Sequence, residues 1–520
     1  MQASLADQRN QGLARSRLIK QRLTLAAWLV LDILALYLII VLYAQNQQVF
    51  ALLALVLVSI ANYIFWRAKN IAYRYIFPAI AGMLIFIIFP MIYTIGVGFT
   101  NFSAANMLKK EQATQFFLNQ RFVAGERYAF SLHDIGGGEF QVQIDLEEEG
   151  GLQLSEPISD LTSLDERTVF SLEPAIVPLV DPLPIREIIN LRSNLNFVDL
   201  RSEENEIRVR FFGLREFADV EPRYLLAEDG SLFNQQTGQT LVANDELGFF
   251  VDQESLQPVT PGYRVFIGWD NYLKVLTDKR IRDPFLQIFA WTVSFAFLSV
   301  VFTLIVGLLL ANLLQWDQIK GKAVYRTLLI LPYAVPAFIS ILVFKGLFNQ
   351  NFGEINMILN GLFGIQPNWM TDPALARTMI LIVNTWLGYP YILLLCMGLL
   401  QSINTDLYEA TAMDGAGPLA NLWHITLPSI IKPLTPLLIA SFAFNFNNFV
   451  LIALLTNGQP DILGATTPAG TTDLLVSYTY RIAFQDTGQN YALGAAIASF
   501  IFIVVAGLAL LNLKLTKVKV

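Results

Sequence analysis

The sequence predicts an α-helical polytopic membrane protein with eight transmembrane helices and a mostly β extracytoplasmic domain inserted between helices 3 and 4. Three observations carry that expectation. Hydrophobic residues make up 54% of the 520 and charged residues 15%, with a mean hydropathy of +0.49, against roughly 45 to 50% and about 25% in a soluble domain. Apolar runs of about 20 residues, the length that crosses a hydrocarbon core, recur along the chain. The charges are segregated: residues 101–283 hold 31 Asp or Glu and 17 Lys or Arg, net −14, within a chain of net −7. An acidic, water-soluble insert therefore interrupts a basic membrane scaffold.

The spans fall near 23–44, 49–66, 76–98, 285–314, 327–346, 378–402, 430–456 and 490–512. The first is longer than the apolar region of a signal peptide and no clear A-x-A site follows it, so it reads as a retained anchor. Basic residues near the span ends set the orientation. Arg9, Arg15, Arg17, Lys20 and Arg22 precede the first span; Arg67, Lys69 and Arg74 lie between the second and third; Lys320, Lys322 and Arg326 lie between the fourth and fifth; Lys514, Lys517 and Lys519 end the chain. Eight alternating spans put all four groups on one side. Both termini are then cytoplasmic and residues 101–283 face outward. The expected organisation is a three-helix region over 1–100, the outer domain over 101–283, and a five-helix core over 284–520.

Within the insert, Glu139 to Asp145 and Ile207 to Phe211 alternate apolar and polar residues as strands do. At about 180 residues the insert is large enough to bury its own core, and an ordered domain on the outer face is suited to holding a soluble partner. The lone cysteine, Cys396, lies in an apolar run and reads as a small buried hydrophobe. His133 and His424 have no partner at metal-ligand spacing, so no metal site is expected. Asp32 falls inside the first span, where an isolated charge is costly; structural pairing explains it better than a proton relay with one member.

Between the sixth and seventh spans the chain reads Tyr408-Glu409-Ala410-Thr411-Ala412-Met413-Asp414-Gly415-Ala416-Gly417, then Ile425-Thr426-Leu427-Pro428. This spells a short helix of small residues, ended by glycine, with a proline-marked return to the membrane. Small side chains let another surface approach closely. No G-x-x-x-x-G-K-[ST] run exists to cradle nucleotide phosphates, and no set of nucleophile, base and orienting group is recognisable. The chain is not expected to be an enzyme.

Two apolar spans carry polar and aromatic residues at helical spacing. Ser441, Phe444, Asn445 and Asn448 stand at i, i+3, i+4 and i+7; Asn384, Leu387, Gly388 and Tyr391 repeat that spacing. Amides serve hydroxyls as donors and acceptors, rings offer apolar faces, and the absence of charge favours a neutral ligand. Interhelical hydrogen bonding is the competing use of such residues.

The stretch from Glu409 resembles the EAA-x3-G-x9-I-x-L-P signature of permeases in binding-protein-dependent ATP-binding-cassette importers. Glu409, Ala410, Gly415, Ile425, Leu427 and Pro428 match it, and Thr411 replaces an alanine. Further segments, Arg326 to Pro336 and Phe352 to Asn356, are similar to the larger permease subunits of maltose and maltodextrin importers. The resemblance implies a bacterial inner-membrane subunit of a sugar importer. Its implied partners are a second, smaller permease, an ATPase dimer that binds ATP and Mg, and a periplasmic sugar-binding protein capped by the outer domain; no cofactor on this chain and no nucleic acid are implied. It assigns Leu387, Gly388, Tyr391, Ser441, Phe444, Asn445 and Asn448 to the maltose or maltodextrin substrate. Glu409, Ala410, Gly415, Leu427 and Pro428, within the loop 403–428, are assigned to ATPase coupling. The alternatives are a permease for another neutral oligosaccharide, an ion-coupled carrier using Asp32 or Lys345, and a membrane-anchored sensor.

Overall fold

The computed structural model describes residues 22–23, 26–45, 47–67, 72–146, 151–159, 161–202, 207–316 and 318–515. The basic residues Arg9, Arg15, Arg17, Lys20, Lys69, Lys517 and Lys519 lie outside them. The chain divides into two compact units, residues 1–96 and 97–520.

In the first unit, helices cover Ala26–Ala44 and Gln48–Trp66, and a third helix, Ala72–Gly98, runs to the boundary. The Asp32 carboxylate accepts from Asn62 Nδ2 at 3.0 Å. The polar residue of the first span is thus paired to the second, which favours the structural reading of Asp32.

In the second unit, the outer domain is built on an eight-stranded sheet: β1 (Arg121–Gly136), β2 (Glu139–Leu146), β3 (Gly151–Ser155), β4 (Ile158–Ser159), β5 (Thr168–Ala175), β6 (Val198–Ser202), β7 (Ile207–Gly213) and β8 (Glu216–Pro222). The two segments read as strands are β2 and β7. Strand β1 is long enough to serve two neighbours. Its first half pairs with β8, from Arg121 opposite Pro222 to Ala129 opposite Glu216, and its second half pairs with β2, beginning with Phe130 opposite Ile144. That double pairing closes the sheet on itself through β1 and β2. Alternate residues fill the interior: Leu132, Val142, Ile144, Val198, Leu200, Val209 and Phe217 are buried there, joined by Ile188 and Leu195 from the helix Ile185–Leu195. A second sheet, β9 (Tyr224–Leu226), β10 (Leu232–Asn234), β11 (Thr240–Asn244), β12 (Phe249–Asp252) and β13 (Pro258–Val259), packs with Ala113 and Phe117 of the helix Lys110–Leu118. Asp245 there accepts from Lys110 Nζ at 2.7 Å and from the Tyr263 hydroxyl at 2.8 Å. Both bonds favour its charged form and hold it below the ordinary carboxylate value.

The membrane part of this unit is organised on the 37-residue helix Lys279–Gln315. Close approach of helices needs small residues where lipid tails give no driving force of their own. Gly307 supplies one such place, since a Cβ built on it would meet Ile392 Cγ2 of the helix Pro373–Leu400 at 2.8 Å.

Two spans differ from the continuous helices expected. Among the described residues seven helices are long and apolar enough to cross a membrane; the region expected as the fifth span is instead a pair of helices, Lys322–Ala334 and Ala337–Leu347, bent by 92° and counting as an eighth crossing if the pair is one span. Val335 at the break is extended, φ −89° and ψ 131°, because Pro336 disfavours a helical residue before it. The seventh span was expected over 430–456. Its helix instead begins at Pro418 and stops at Phe446, and a separate short helix covers Phe449–Leu455.

Candidate functional site

At the break in the seventh span, two of the candidate substrate residues, Asn445 and Asn448, meet Asn384 of the sixth span. Asn384, from the sixth span, donates through Nδ2 to Asn445 Oδ1 at 2.8 Å. Asn448 Nδ2 donates back to Asn384 Oδ1 at 3.1 Å, and Asn445 Nδ2 donates to the Ser441 carbonyl at 2.8 Å. Three carboxamides thereby form one chain across two spans. Asn384 and Asn445 are buried, where an unmade bond would cost about 1 to 3 kcal/mol.

The helical-face argument holds for Ser441, Phe444 and Asn445 and fails for Asn448. The helix ends at Phe446, with Asn447 outside it. Asn448 is the N-cap of the next helix, its side chain accepting from Leu451 N–H at 3.4 Å. Asparagine suits such a position because its short side chain satisfies a free helix N–H. Asn447 points elsewhere, donating to the Ala443 carbonyl at 3.3 Å.

The other expected substrate residues are not part of the amide chain. Leu387 packs against the core around Trp291, Met379 and Val383. Gly388 faces Thr303, whose Cγ2 would lie 2.8 Å from a Cβ at that position; its smallness serves the contact with the fourth span. Tyr391 and Phe444 are exposed in the chain by itself, at 40% and 71%, and so are available to a ligand or another subunit. Asn384, which helical spacing places on the candidate face and which the resemblance leaves unassigned, is the hub of the network.

In the connection between the sixth and seventh spans, the helix Thr405–Met413 is capped by Asn404, whose side chain accepts from Asp406 N–H at 3.1 Å. It closes with Gly415 at φ +79°. Gly415 N–H donates to Ala412 O and Ala416 N–H to Thr411 O, the paired bonds that end a helix on a left-handed residue. The Tyr408 hydroxyl lies 2.9 Å from Thr426 Oγ1, folding this helix against the start of the seventh span. Glu409 and Ala410 are exposed, Leu427 is half-buried, and Pro428 follows directly on the widened helical turn Leu422–Thr426 where the regular helix Leu427–Phe446 begins. Met413, Leu419 and Trp423 are also largely exposed here, giving the loop an apolar surface that the motif did not announce.

A third arrangement had no sequence signal. Asp473 is fully buried between the seventh and eighth spans and accepts from Arg481 Nη1 at 2.8 Å, Ser477 Oγ at 2.8 Å and Gly470 N–H at 2.7 Å. Arg481 also pairs with Asp461 at 2.8 Å. Neighbouring backbone ties the segment to the spans: Arg377 donates to Thr471 O at 2.9 Å, and Leu475 N–H donates to Thr292 Oγ1 at 3.0 Å.

Comparison with known proteins covers both units. Residues 23–69 match the family of MalF N-terminal transmembrane helices, 108–268 the P2 domain of the maltose transport system permease protein MalF, and 303–517 the binding-protein-dependent transport system inner membrane component family. The maltose/maltodextrin transport system permease protein MalF of Klebsiella aerogenes is 51% identical over 501 residues, 95% of this chain and 96% of that protein. The chain belongs to the MalF permease family. The Vibrio cholerae member is 52% identical over 490 residues, 92% of each chain. The member from Escherichia coli O6:H1 is 50% identical over 501 residues, 95% of this chain and 96% of that protein. As a member of the binding-protein-dependent inner membrane family, this permease is a multi-pass inner-membrane protein and not itself an enzyme; ATP hydrolysis in such importers resides on a separate chain.

Proposed function

We propose that this permease imports maltose and maltodextrins, with the Asn384, Asn445 and Asn448 junction in the translocation path and the Thr405–Met413 helix coupled to the ATPase. The observation that carries this reading is the amide chain at an interrupted span. A helix broken inside a membrane exposes backbone and side-chain hydrogen-bonding groups that must be satisfied by protein or by a polar cavity, and a break is a common way to build a site at that depth. Carboxamides present both donors and acceptors to sugar hydroxyls, without a charge that would have to be neutralised.

The outer domain serves the sugar-loaded binding protein. A smaller permease completes the path, and the ATPase dimer, which carries ATP and Mg itself, docks on the exposed face of Leu407, Met413 and Leu419. The domain limits that go with this reading are 1–100, 101–283 and 284–520. Leu387, Gly388, Tyr391, Ser441 and Phe444 complete the substrate assignment, and Glu409, Ala410, Gly415, Leu427 and Pro428 the coupling assignment.

Reconstitution of the four components in nanodiscs tests the function. Maltose-loaded binding protein should stimulate ATP hydrolysis, and proteoliposomes should accumulate maltotriose only with ATP inside the ATPase-facing compartment. Accumulation driven by an ion gradient without the ATPase would replace this reading with an ion-coupled carrier.

A further inference from the structure

The short helix Phe449–Leu455 carries Asn448 at its start and Thr456 at its end, about 12 Å apart at the helical rise. Its buried residues Leu451, Ile452 and Leu455 pack on the core around Trp291 and Met379. Hydrophobic contact is non-directional, so the placement of this helix along and about its own axis is left to the hydrogen bonds at its two ends. At the start, Asn448 Nδ2 reaches Asn384 Oδ1 at 3.1 Å. At the other end stands Thr472.

Thr472 is fully buried, and its Oγ1 donates to Gln459 O at 2.6 Å. A hydroxyl has one proton to give, so in the 2.9 Å contact between the Thr456 and Thr472 hydroxyls it is Thr456 that donates. Thr456 Oγ1 in turn accepts from Gly458 N–H at 3.3 Å. Thr472 N–H donates to Gly458 O at 3.2 Å, and Thr472 O accepts from Trp291 Nε1 at 3.4 Å. One residue thus joins the helix end, the turn after it and the fourth span. That turn has little room to give way: Asn457 and Gly458 are left-handed, at φ +51° and +83°, and a Cβ on Gly470 would strike the Gly458 carbonyl. The adjacent Asp473 is held by Arg481, Ser477 and Gly470 N–H, which anchors Thr472 independently of the helix it holds.

We propose that Thr472 is a positioning residue for the sugar site, setting the reach of Asn448 toward Asn384 through its bond to the Thr456 hydroxyl, an assignment that rests on the sugar-site reading above. Without that bond the Thr456 proton and the Gln459 carbonyl are buried and unpartnered, a penalty relieved when the helix end moves. The helix carries the displacement to Asn448. A sugar held less well there escapes before the path opens inward, and cycles of the ATPase finish without cargo.

The test measures ATP hydrolysed per maltotriose accumulated by the complete complex in proteoliposomes. Thr472→Val, which keeps the side-chain shape and removes the hydroxyl, should raise that ratio about threefold; Thr472→Ser, which keeps the hydroxyl, should leave it near the unmodified value. Thr456→Val breaks the same bond from the other side and should raise the ratio equally, so the test stands even where Thr472→Val fails to assemble. Ile497→Ala, in the buried core of the eighth span, lowers the melting temperature without touching this loop and should leave the ratio unchanged. Asn448→Ala should raise the ratio, and adding Thr472→Val to it should raise it no further, because residues acting through one another are not additive. An unchanged ratio in the valine variants, beside a raised one in Asn448→Ala, overturns the proposal alone. So does a rise in Ile497→Ala as large as in Thr472→Val, which would make the effect one of stability, or a further rise in the double variant, which would place the action of Thr472 elsewhere. An unchanged ratio in Asn448→Ala overturns the sugar-site reading and the proposal with it.

Discussion

Asn384 and Asn445, 61 residues apart in sequence, are joined by a 2.8 Å hydrogen bond between the sixth and seventh spans. Asn445 therefore uses its carbonyl oxygen on a neighbouring helix and its amide nitrogen on Ser441 O. A sugar reaching this place would meet a network already engaged, and its binding would exchange hydrogen bonds instead of adding them to free groups.

Asn384→Ala removes a donor and an acceptor together and should impair uptake at least as much as Asn445→Ala or Asn448→Ala. The expected loss for each is about 1 to 3 kcal/mol if the place stays dry, read as weaker apparent sugar affinity with complex assembly intact. Asn447→Ala, which breaks a bond within its own exposed turn, should change transport by less than about 0.5 kcal/mol. Comparable loss at Asn447, together with failed assembly, would show that these amides act as interhelical ties and that the sugar passes elsewhere.

At the cytoplasmic loop, Gly415 is left-handed with open space around its absent Cβ. Gly415→Ala isolates the backbone cost, about 1 to 2 kcal/mol, and Gly415→Asp adds a charge at the docking face. The alanine variant should reduce and the aspartate variant abolish transport-linked ATP hydrolysis in the reconstituted complex, and Glu409→Lys should uncouple through reversed charge. Normal coupled turnover in Gly415→Asp would remove the coupling role from this loop.

Arg481→Met would leave the Asp473 carboxylate buried without its cation. Breaking one side of such a pair costs about 3 to 5 kcal/mol, so the purified complex should melt markedly earlier. Combining Arg481→Met with Asp473→Asn should recover part of that loss, because the uncompensated charge is gone. If the double variant melted no higher than the single one, the remaining bonds to Ser477 and Gly470 would outweigh the ion pair.

Orientation is accessible to labelling on a Cys396→Ala background. A cysteine at Gln239, exposed in the outer domain, should react with a membrane-impermeant maleimide in spheroplasts, and one at Glu409 should react after permeabilisation alone. Reaction of Glu409→Cys from the outside would reverse the arrangement.

Much was legible in the residue order because it depends on short-range pattern. Apolar length located the spans, alternation located β2 and β7, and the spacing from Glu409 to Pro428 located a helix ended at Gly415. These properties follow from local periodicity and from glycine's tolerance of positive φ, neither of which needs a distant partner. The tertiary structure decided what depends on such partners. It split the seventh span so that Asn448 caps a new helix, put Gly388 against Thr303, and made Asn384 the common partner of Asn445 and Asn448. It also buried Asp473 against Arg481, though nothing in the sequence distinguishes either from a solvated charge. Periodicity along a chain says which residues share a face, but hydrogen bonds and packing between faces depend on how the elements are brought together in space, and that information has no fixed spacing in sequence.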